Sequence, residues 1–504
     1  MPGTFATLVC MDAQWLGTHW LAAVLLVAYT LVLFYNAYRG RQASAAVDGY
    51  YVGGRNMGGV VIGFSFFATF ASTNSYIGHA GKGYDFGLPW LVLGITLVVF
   101  CWLSWRWVAP GLRRFALAWD ALTLPDYLGA RFTTDGRDTH PVRLAGAVII
   151  VFSSVLYLIA IFKGAGHLFQ QFLGVTYGQA VFITLVIVML YTSVGGFVSV
   201  VRTDVVQGSC MLLGSILMFY FVTDAAGGVG AISSLAEQPD TSYLFELNAG
   251  IPFAVLLGIS LSGAMKLLVD PRQLSRFYAL RDEGQIRLGM WVAFGGLIVV
   301  FGCLFPIGVY SHLILDGVND TDLIVPTLVA DATVFPVWAG DFLIVAIVAA
   351  AMSSMDSVLL VAASTLDKNL MAPLRGGQTS IKWTRVAVIG FAVVSAVFAL
   401  NPPGDIVQIT IFSGSLYAVC FFPAVVVGLH WHRGSASAVL WSMGAGVAML
   451  LMWLLAGWQS VVHEVFPALA VSLAAYVIVS LRQPAALSST QWQQVAQPDQ
   501  SVIA

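Results

Sequence analysis

The stretch "GFSFFATFASTNSYIGHAGKGY" runs from Gly63 to Tyr84, and its centre is polar although its first half is apolar. Four of the five residues from Ala71 to Ser75 ("ASTNS") carry polar side chains. Small hydroxyl residues let a membrane helix unwind, and its freed carbonyls must then face a cavity or an ion. Helix packing would explain one serine, but Asn74 and its hydroxyl neighbours would all need partners. The stretch therefore predicts a helix that is broken near the middle of a membrane.

The stretch "LLGISLSGAMKLLVDP" (Leu256 to Pro271) is a second candidate for an interrupted span. Ser260, Ser262 and Gly263 lie at its centre. For any one of these residues, close packing of two helices is a sufficient explanation. Two interrupted spans that lie five apart in the chain are, however, typical of secondary transporters built from inverted repeats.

The composition places the whole chain in a membrane. Of its 504 residues, 59% are hydrophobic and only 10% are charged, whereas about a quarter of the residues of a soluble domain are charged. A helix that crosses a bilayer needs about 20 apolar residues. The sequence therefore predicts an all-α polytopic membrane protein with 13 spans, at 19–38, 57–81, 87–109, 143–172, 177–195, 200–223, 249–269, 286–310, 338–367, 383–400, 405–430, 435–456 and 462–481. The five cysteines are scattered without a CxxC pair, which predicts neither a disulfide framework nor a thiolate metal site.

The distribution of charge predicts the orientation of these spans. With the N-terminus outside, all but Lys82 and Lys163 of the 23 basic residues fall on the inner side. This inner group includes Arg137, Lys266, Arg272 and Arg276. The outer loops are acidic and contain Asp224, Glu237, Asp240, Glu246, Asp316, Asp320, Asp322 and Asp331. Because cytoplasmic loops carry an excess of Lys and Arg, we expect the N-terminus outside and the C-terminus in the cytoplasm.

The stretch "AAAMSSMDSVLL" (Ala349 to Leu360) places three serines and an aspartate inside an otherwise apolar span. Ser353 and Ser357 are four residues apart and share a helix face, and Ser354 flanks this face. Neutral hydroxyl oxygens suit a hard cation such as sodium. Serine hydroxyls also bond back to the carbonyls of their own helix, which is the structural alternative.

Two carboxylates, Asp204 and Asp356, lie in or near the predicted spans. Ionisable groups at membrane depth are costly, and they are functional by default. Two structural alternatives remain open. For Asp204, the alternative is an interfacial pair with the neighbouring Arg202. For Asp356, it is a structural ion pair with an arginine of the inner side.

Six motifs, in order along nearly the whole chain, resemble the sodium:solute symporter family. They are "YYVGGRNMGG" (50–59), "TLPDYLGARF" (123–132), "GVTYGQAVFITLVIVMLYTSVGGFVS" (174–199), "TDVVQG" (203–208), "DPRQLSRFYA" (270–279) and "MSSMDS" (352–357). One late motif departs from the family, because Ala438 and Val439 stand where Gly-Ala is usual.

The resemblance implies a LeuT-like fold, in which ten core helices form two inverted five-helix repeats. One helix would precede this core and two would follow it. Residues 1–56 would then hold the N-terminal outer tail, the first helix and an inner loop, and residues 57–430 the transport core. Residues 431–481 would form two peripheral helices, and residues 482–504 a polar cytoplasmic tail.

The resemblance also implies a sodium site and its ligands. The matching positions are the carbonyls of Ala68, Ala71 and Ala350 and the hydroxyls of Ser353 and Ser354. In the family, the aspartate at the position of Asp204 is associated with sodium binding or release, and in some members it joins serines in an additional sodium site. Ser357 matches that site, but Asp356 stands where those members have Ser. The resemblance thus leaves open whether one or two cations are bound, and whether a proton takes part in transport.

The substrate would bind near the bilayer midplane, between the two broken helices. The candidate lining residues are Ser72, Thr73, Asn74, Ser75, Tyr157, Ser260 and Ser262. Lys163 and His79 are candidates for contacting a carboxylate, although Lys163 would also be explained as a lysine that reaches the outer interface. The segment from Phe412 to Arg433 looks most like the family branch that carries pantothenate, monocarboxylates and related small anions.

The function implied is sodium-coupled import of a small organic solute by alternating access. The solute would be a small carboxylate such as pantothenate, a monocarboxylate or an amino acid. The protein would work in a bacterial inner membrane with sodium, its solute and the lipid bilayer as partners, and without nucleic acid or an obligate protein partner. The alternatives are a transporter-like sensor that signals through a partner, and a proton-coupled symporter of the same fold. An enzyme is not indicated, since no nucleophile–base pair, metal cluster or glycine-rich phosphate loop is evident.

Overall fold

The computed structural model describes residues 17–44, 46–134, 138–315 and 317–496. These residues form helices joined by turns, and within them the β-type pairing is a single bridge between Met57 and Leu280. Two charges that support the predicted orientation, Arg137 and Asp316, lie outside the described residues. The first 16 residues of the predicted outer tail and the tail beyond residue 496 also lie outside them.

The longer helices are numbered along the chain. They are α1 (Trp20–Ala43), α2 (Gly59–Phe70), α3 (Asn74–Phe86), α4 (Leu88–Ala118), α5 (Pro141–Leu173), α6 (177–194), α7 (Gly195–Ala225), α8 (Phe253–Val269), α9 (Pro271–Ala279), α10 (Gly284–Ser311), α11 (Val337–Thr365), α12 (Ile381–Ala399), α13 (Ile406–His430), α14 (Ala436–Leu455) and α15 (Val465–Arg482). Shorter helices include Val47–Val52, Leu124–Phe132, Ile324–Ala330 and Ser489–Ala496.

The helices agree closely with the predicted spans. In the described part of the chain, 11 helices are long and apolar enough to cross a membrane, and the bent pair α2–α3 makes 12. The predicted span at 177–195 is present as the helix α6.

Gly196 separates α6 from α7. Its backbone angles are φ 66° and ψ −175°, a region that essentially only glycine occupies. A Cβ atom at this position would lie 2.7 Å from Ser44 Oγ and 2.9 Å from the ring of Tyr50. The chain turns between two spans here because glycine removes both the backbone strain and the clash.

We expect Gly196→Ala to lower the free energy of unfolding by about 1–3 kcal/mol, the usual cost of one strained backbone position. The measurement is the thermal midpoint of the detergent-solubilised protein. Gly390→Ala is the matched control, because Gly390 lies in α12 and a Cβ atom added there would have no neighbouring atom within 4 Å. An unchanged midpoint for Gly196→Ala would contradict the assignment of a glycine-only turn.

The second interrupted span, Leu256 to Pro271, is broken at a different position from the predicted one. Ser260, Ser262 and Gly263 lie inside the continuous helix α8, so the predicted interruption at these residues is wrong. The helix ends instead at Asp270, whose ψ of 123° is extended, and Pro271 begins α9. Proline lacks a backbone N–H and disfavours helical angles at the preceding residue, which explains a break at this position.

Helix α11 lies at the centre of the fold and is buried along almost its whole length. It packs against α5, α7 and α12, and also against α2. Helix α8 packs between α4 and α13, while α14 and α15 pack mainly against each other and against α13. This arrangement brings the break between α2 and α3 against the hydroxyl-bearing face of α11.

Three basic residues that were predicted to lie on the inner side are found within the helical core. Lys266 is in α8, and Arg272 and Arg276 are in α9. All three side chains are buried, with at most 4% exposed. These three residues therefore do not belong to the inner loops whose basic residues were counted to predict the orientation.

Candidate functional site

The polypeptide between α2 and α3 leaves the helical path after Phe70. The two helices are bent by 56°, and Ala71 has an extended ψ of 113°. The amide of Ser72 would donate to the carbonyl of Ala68 in a continued helix, but it faces Ser75 Oγ at 3.3 Å instead. The predicted break is therefore present, and the Ala68 carbonyl lacks its helical donor at this depth.

The serines of α11 contact this break from the opposite side. Ser354 Oγ donates to the carbonyl of Thr69 at 3.0 Å. Ser353 Oγ donates to Asp204 Oδ1 at 2.6 Å. Ala350 is buried one turn earlier on the same helix. The structure thus brings together the α2 break and the hydroxyls that the resemblance assigned to one sodium site.

Asp204 accepts from several buried groups rather than from the neighbouring Arg202. Arg276 Nη2 lies 3.2 Å from Asp204 Oδ2, and Ser65 Oγ donates to the same oxygen at 2.5 Å. The interfacial Asp204–Arg202 pair is not formed, because Asp204 is turned into the core with no exposed surface. Arg276 is a partner that could not be predicted from the sequence.

Arg276 also links the two hydroxyls that lie beside this carboxylate. Its Nη2 atom donates to Thr69 Oγ1 at 2.7 Å and to Ser357 Oγ at 2.6 Å. Thr69 and Ser357 share a hydrogen bond of 3.0 Å. The predicted second site, at Asp204 and Ser357, is therefore in contact with a guanidinium group that belongs to the protein.

Asp356 makes a different contact from that of Ser357, although the two residues are adjacent in the chain. Its Oδ1 atom accepts from Thr192 Oγ1 at 2.5 Å. Adjacent residues of a helix point about 100° apart, so Asp356 faces α6 while Ser357 faces α2 and α9. The side chains of Asp356 and Ser357 therefore contact different helices.

A small cavity of about 30 Å³ lies next to the break. It is lined by five residues singled out from the sequence, which are Ser72, Asn74, Ser75, His79 and Tyr157. It is also lined by Lys266, Arg272 and Thr410, which were not predicted to line it. The sequence signal that could have identified Lys266 is its charge within an apolar span, in the last turn of α8.

Three of the predicted substrate residues lie outside this cavity. Ser260 Oγ donates to the carbonyl of Leu256 in its own helix at 2.8 Å. Ser262 Oγ donates to the carbonyl of Ile411 at 2.8 Å, so it joins α8 to α13. Thr73 is buried against Gly164. The two serines have their hydrogen bonds within the protein, and none of the three residues is among those that line this cavity.

Lys163 contacts a carboxylate of the protein and not the cavity. Its Nζ atom lies 2.7 Å from Asp322 Oδ2. A second lysine near the outer side, Lys82, lies 3.0 Å from Asp85 and 3.3 Å from Asp405. The Lys163–Asp322 pair joins α5 to the segment before Ile324–Ala330, and the Lys82–Asp405 pair joins α3 to the start of α13, on the side that is predicted to face outward.

Known proteins resemble this chain over most of its length. The model of the sodium:solute symporter family matches residues 50–446. The osmoregulated proline transporter OpuE of Bacillus subtilis is 29% identical, over 88% of this chain and 91% of its own length. The sodium/pantothenate symporter of Haemophilus influenzae is 26% identical, over 88% of this chain and 92% of its own length.

Solved structures agree on the fold. A Na+-coupled sialic acid symporter in a substrate-bound outward-open state has a TM-score of 0.76 at 19% identity, over 93% of this chain and 98% of its own. MHP1, a nucleobase-cation-symport-1 family transporter, has a TM-score of 0.57 at 15% identity, over 88% of this chain and 97% of its own. The all-helical structure with its bent second span is thus a LeuT-like fold. This chain is a membrane transporter and not an enzyme, and it belongs to the sodium:solute symporter family.

Proposed function

We propose that this protein imports a small carboxylate-bearing solute together with sodium, by alternating access. The observation that carries the proposal is the position of the cavity, which lies between the α2 break and two buried cations, Lys266 and Arg272. Buried cationic side chains need an anionic or hydrogen-bonding partner, which a carboxylate supplies. The proposal places the protein in a bacterial plasma membrane with its N-terminus outside.

The proposed sodium ligands are the carbonyls of Ala68, Ala71 and Ala350 and the hydroxyls of Ser353 and Ser354. The contact of Ser354 Oγ with the carbonyl of Thr69, the residue after Ala68, supports this set, since oxygen ligands of this kind suit a hard cation. Residues 57–430 form the proposed transport core around it.

A single sodium ion per transport cycle is part of the proposal. The support is Arg276, whose guanidinium group already contacts Asp204 and Ser357. A fixed positive charge at this position repels a second cation through Coulomb interaction, which is strong in a buried site.

The experiment is uptake into proteoliposomes under an inward sodium gradient, with lithium and proton gradients as comparisons. The panel contains pantothenate, acetate, propionate, lactate, succinate, glycine, alanine, proline and glucose. We expect sodium-dependent uptake of at least one carboxylate, with a hyperbolic dependence on sodium concentration. Uptake driven equally by a proton gradient without sodium would contradict sodium coupling, and uptake of glucose alone would contradict the carboxylate.

A further inference from the structure

Lys266 is a buried lysine that forms no ion pair of its own among the described residues. Only 4% of its surface is exposed. Its Nζ atom lies 4.2 Å from the centre of the Tyr157 ring and 3.4 Å from the carbonyl of Thr410. Within the residues that the structure describes, no Asp or Glu oxygen lies within 4.0 Å of this nitrogen, the distance of an ion pair. Its nearest partners are therefore a ring face and a carbonyl, and the nearby Asp270 carboxylate is already paired with Arg272.

Arg272, the other cation of the cavity wall, is already neutralised. Its Nη2 atom lies 2.6 Å from Asp270 Oδ2, and its Nε atom donates to the same carboxylate at 3.0 Å. The guanidinium group lies 4.0 Å from the Tyr157 ring, next to Lys266. Its buried Nη1 atom has no hydrogen-bond partner. The wall thus carries one unbalanced positive charge and one unused N–H donor.

The rest of the cavity lining adds no negative charge. Its other polar side chains are Ser72, Asn74, Ser75, His79 and Thr410, and no Asp or Glu is among the lining residues. A carboxylate bound beside Lys266 and Arg272 would balance the excess charge. The ammonium group of an amino acid would face the same two cations without an acidic partner, and burying such a charge unpaired is costly.

We propose that the cavity selects small monocarboxylates that lack an ammonium group, and that Lys266 sets this charge selectivity. The inference rests on the proposed function, because it concerns the same site. The single negative charge of a monocarboxylate offsets the excess positive charge of the cavity wall, so that the net charge of the site is zero. An amino acid zwitterion leaves the Lys266 charge unbalanced, and a dicarboxylate introduces an excess negative charge.

The first test compares ligands of equal size that differ in the ammonium group. Proteoliposomes under an inward sodium gradient are supplied with two matched pairs of solutes. The pairs are lactate with alanine, and acetate with glycine. We expect the panel's best substrate to be a monocarboxylate without an ammonium group, taken up at least about tenfold faster than glycine, alanine or proline, which corresponds to about 1.4 kcal/mol. Sodium-driven uptake of an amino acid as the best substrate would overturn the inference while leaving sodium symport intact. Absence of sodium-driven uptake for every solute would instead overturn the proposed function.

The second test removes the charge of Lys266. We expect Lys266→Met to raise the KM for the best monocarboxylate at least about a hundredfold, and to leave binding of ²²Na⁺ measurable because the proposed sodium ligands are unchanged. Lys266→Arg keeps the charge and is expected to retain the preference for monocarboxylates. Lys382→Met is the matched control, because Lys382 is exposed and is not among the lining residues of the cavity.

The variants also separate a selectivity role from a structural one. If Lys266→Met binds sodium and still transports the monocarboxylate with the wild-type KM, Lys266 does not set the selectivity. If Lys266→Met fails to bind sodium, the Lys266→Arg variant tests the selectivity instead. Equal uptake of lactate and alanine by folded Lys266→Arg protein would overturn the inference.

Discussion

Replacing Ser353 and Ser354 together with alanine is expected to abolish sodium-stimulated uptake at the sodium concentrations that saturate the wild type, while leaving the transporter folded. Ser354 Oγ contacts the Thr69 carbonyl at the α2 break, and Ser353 Oγ contacts Asp204. Hydrogen bonds to charged groups contribute about 1.5–3 kcal/mol each. Loss of two hydroxyl ligands should therefore lower sodium affinity by at least about a hundredfold. The measurement is the sodium concentration that gives half-maximal uptake.

Ser364→Ala is the matched control for this double variant. Ser364 lies in the same buried helix, but its hydroxyl donates to the Val361 carbonyl of that helix at 3.1 Å. We expect its sodium dependence to equal that of the wild type. A double variant at Ser353 and Ser354 with wild-type sodium affinity would remove the α11 hydroxyls from the proposed site.

Asp204→Asn is expected to have the largest effect on stability. The change leaves Arg276 as a fully buried charge without its carboxylate partner. Breaking a buried ion pair by removing one partner costs about 3–5 kcal/mol. The thermal midpoint in detergent and the yield of monodisperse protein are the measurements.

A double variant tests whether the loss comes from the stranded charge. Asp204→Leu combined with Arg276→Met removes both charges, and we expect it to recover much of the stability that Asp204→Asn loses. Asp282→Asn is the control, because its pair with Arg281 lies on the surface, and no change in midpoint is expected. Equal midpoints for the single and double variants would show that the Asp204–Arg276 pair does not determine stability.

The residues that break the helices show where local information is sufficient. The "ASTNS" segment is polar over a whole helical turn, so its hydrogen bonds are hard to satisfy inside a straight helix. Ser260 and Ser262 look similar in the sequence, yet one bonds to its own helix and the other to α13. A partner on another helix is invisible to local composition, and the break falls at Asp270 and Pro271 instead.

Some residues of the candidate site are predictable from the sequence, and others are identified only by the structure. Ser353 and Ser354 are predicted from their place in an apolar helix and from the resemblance, and the structure places them at the α2 break. Lys266 and Arg276 count as inner-side charges in the sequence, because membrane position alone does not distinguish a loop charge from one turned into the core. Only their buried surroundings indicate a site role.

By itself, the sequence determined that the chain crosses a membrane repeatedly and that its second span is broken, because both follow from runs of apolar residues and from local polarity. The tertiary structure decided which charges meet. Asp204 and Arg276 are 72 residues apart, and Asp204 and Ser353 are 149 apart. Their contacts depend on how α2, α7, α9 and α11 pack, and side-chain packing between distant helices is set by the whole fold rather than by any one segment.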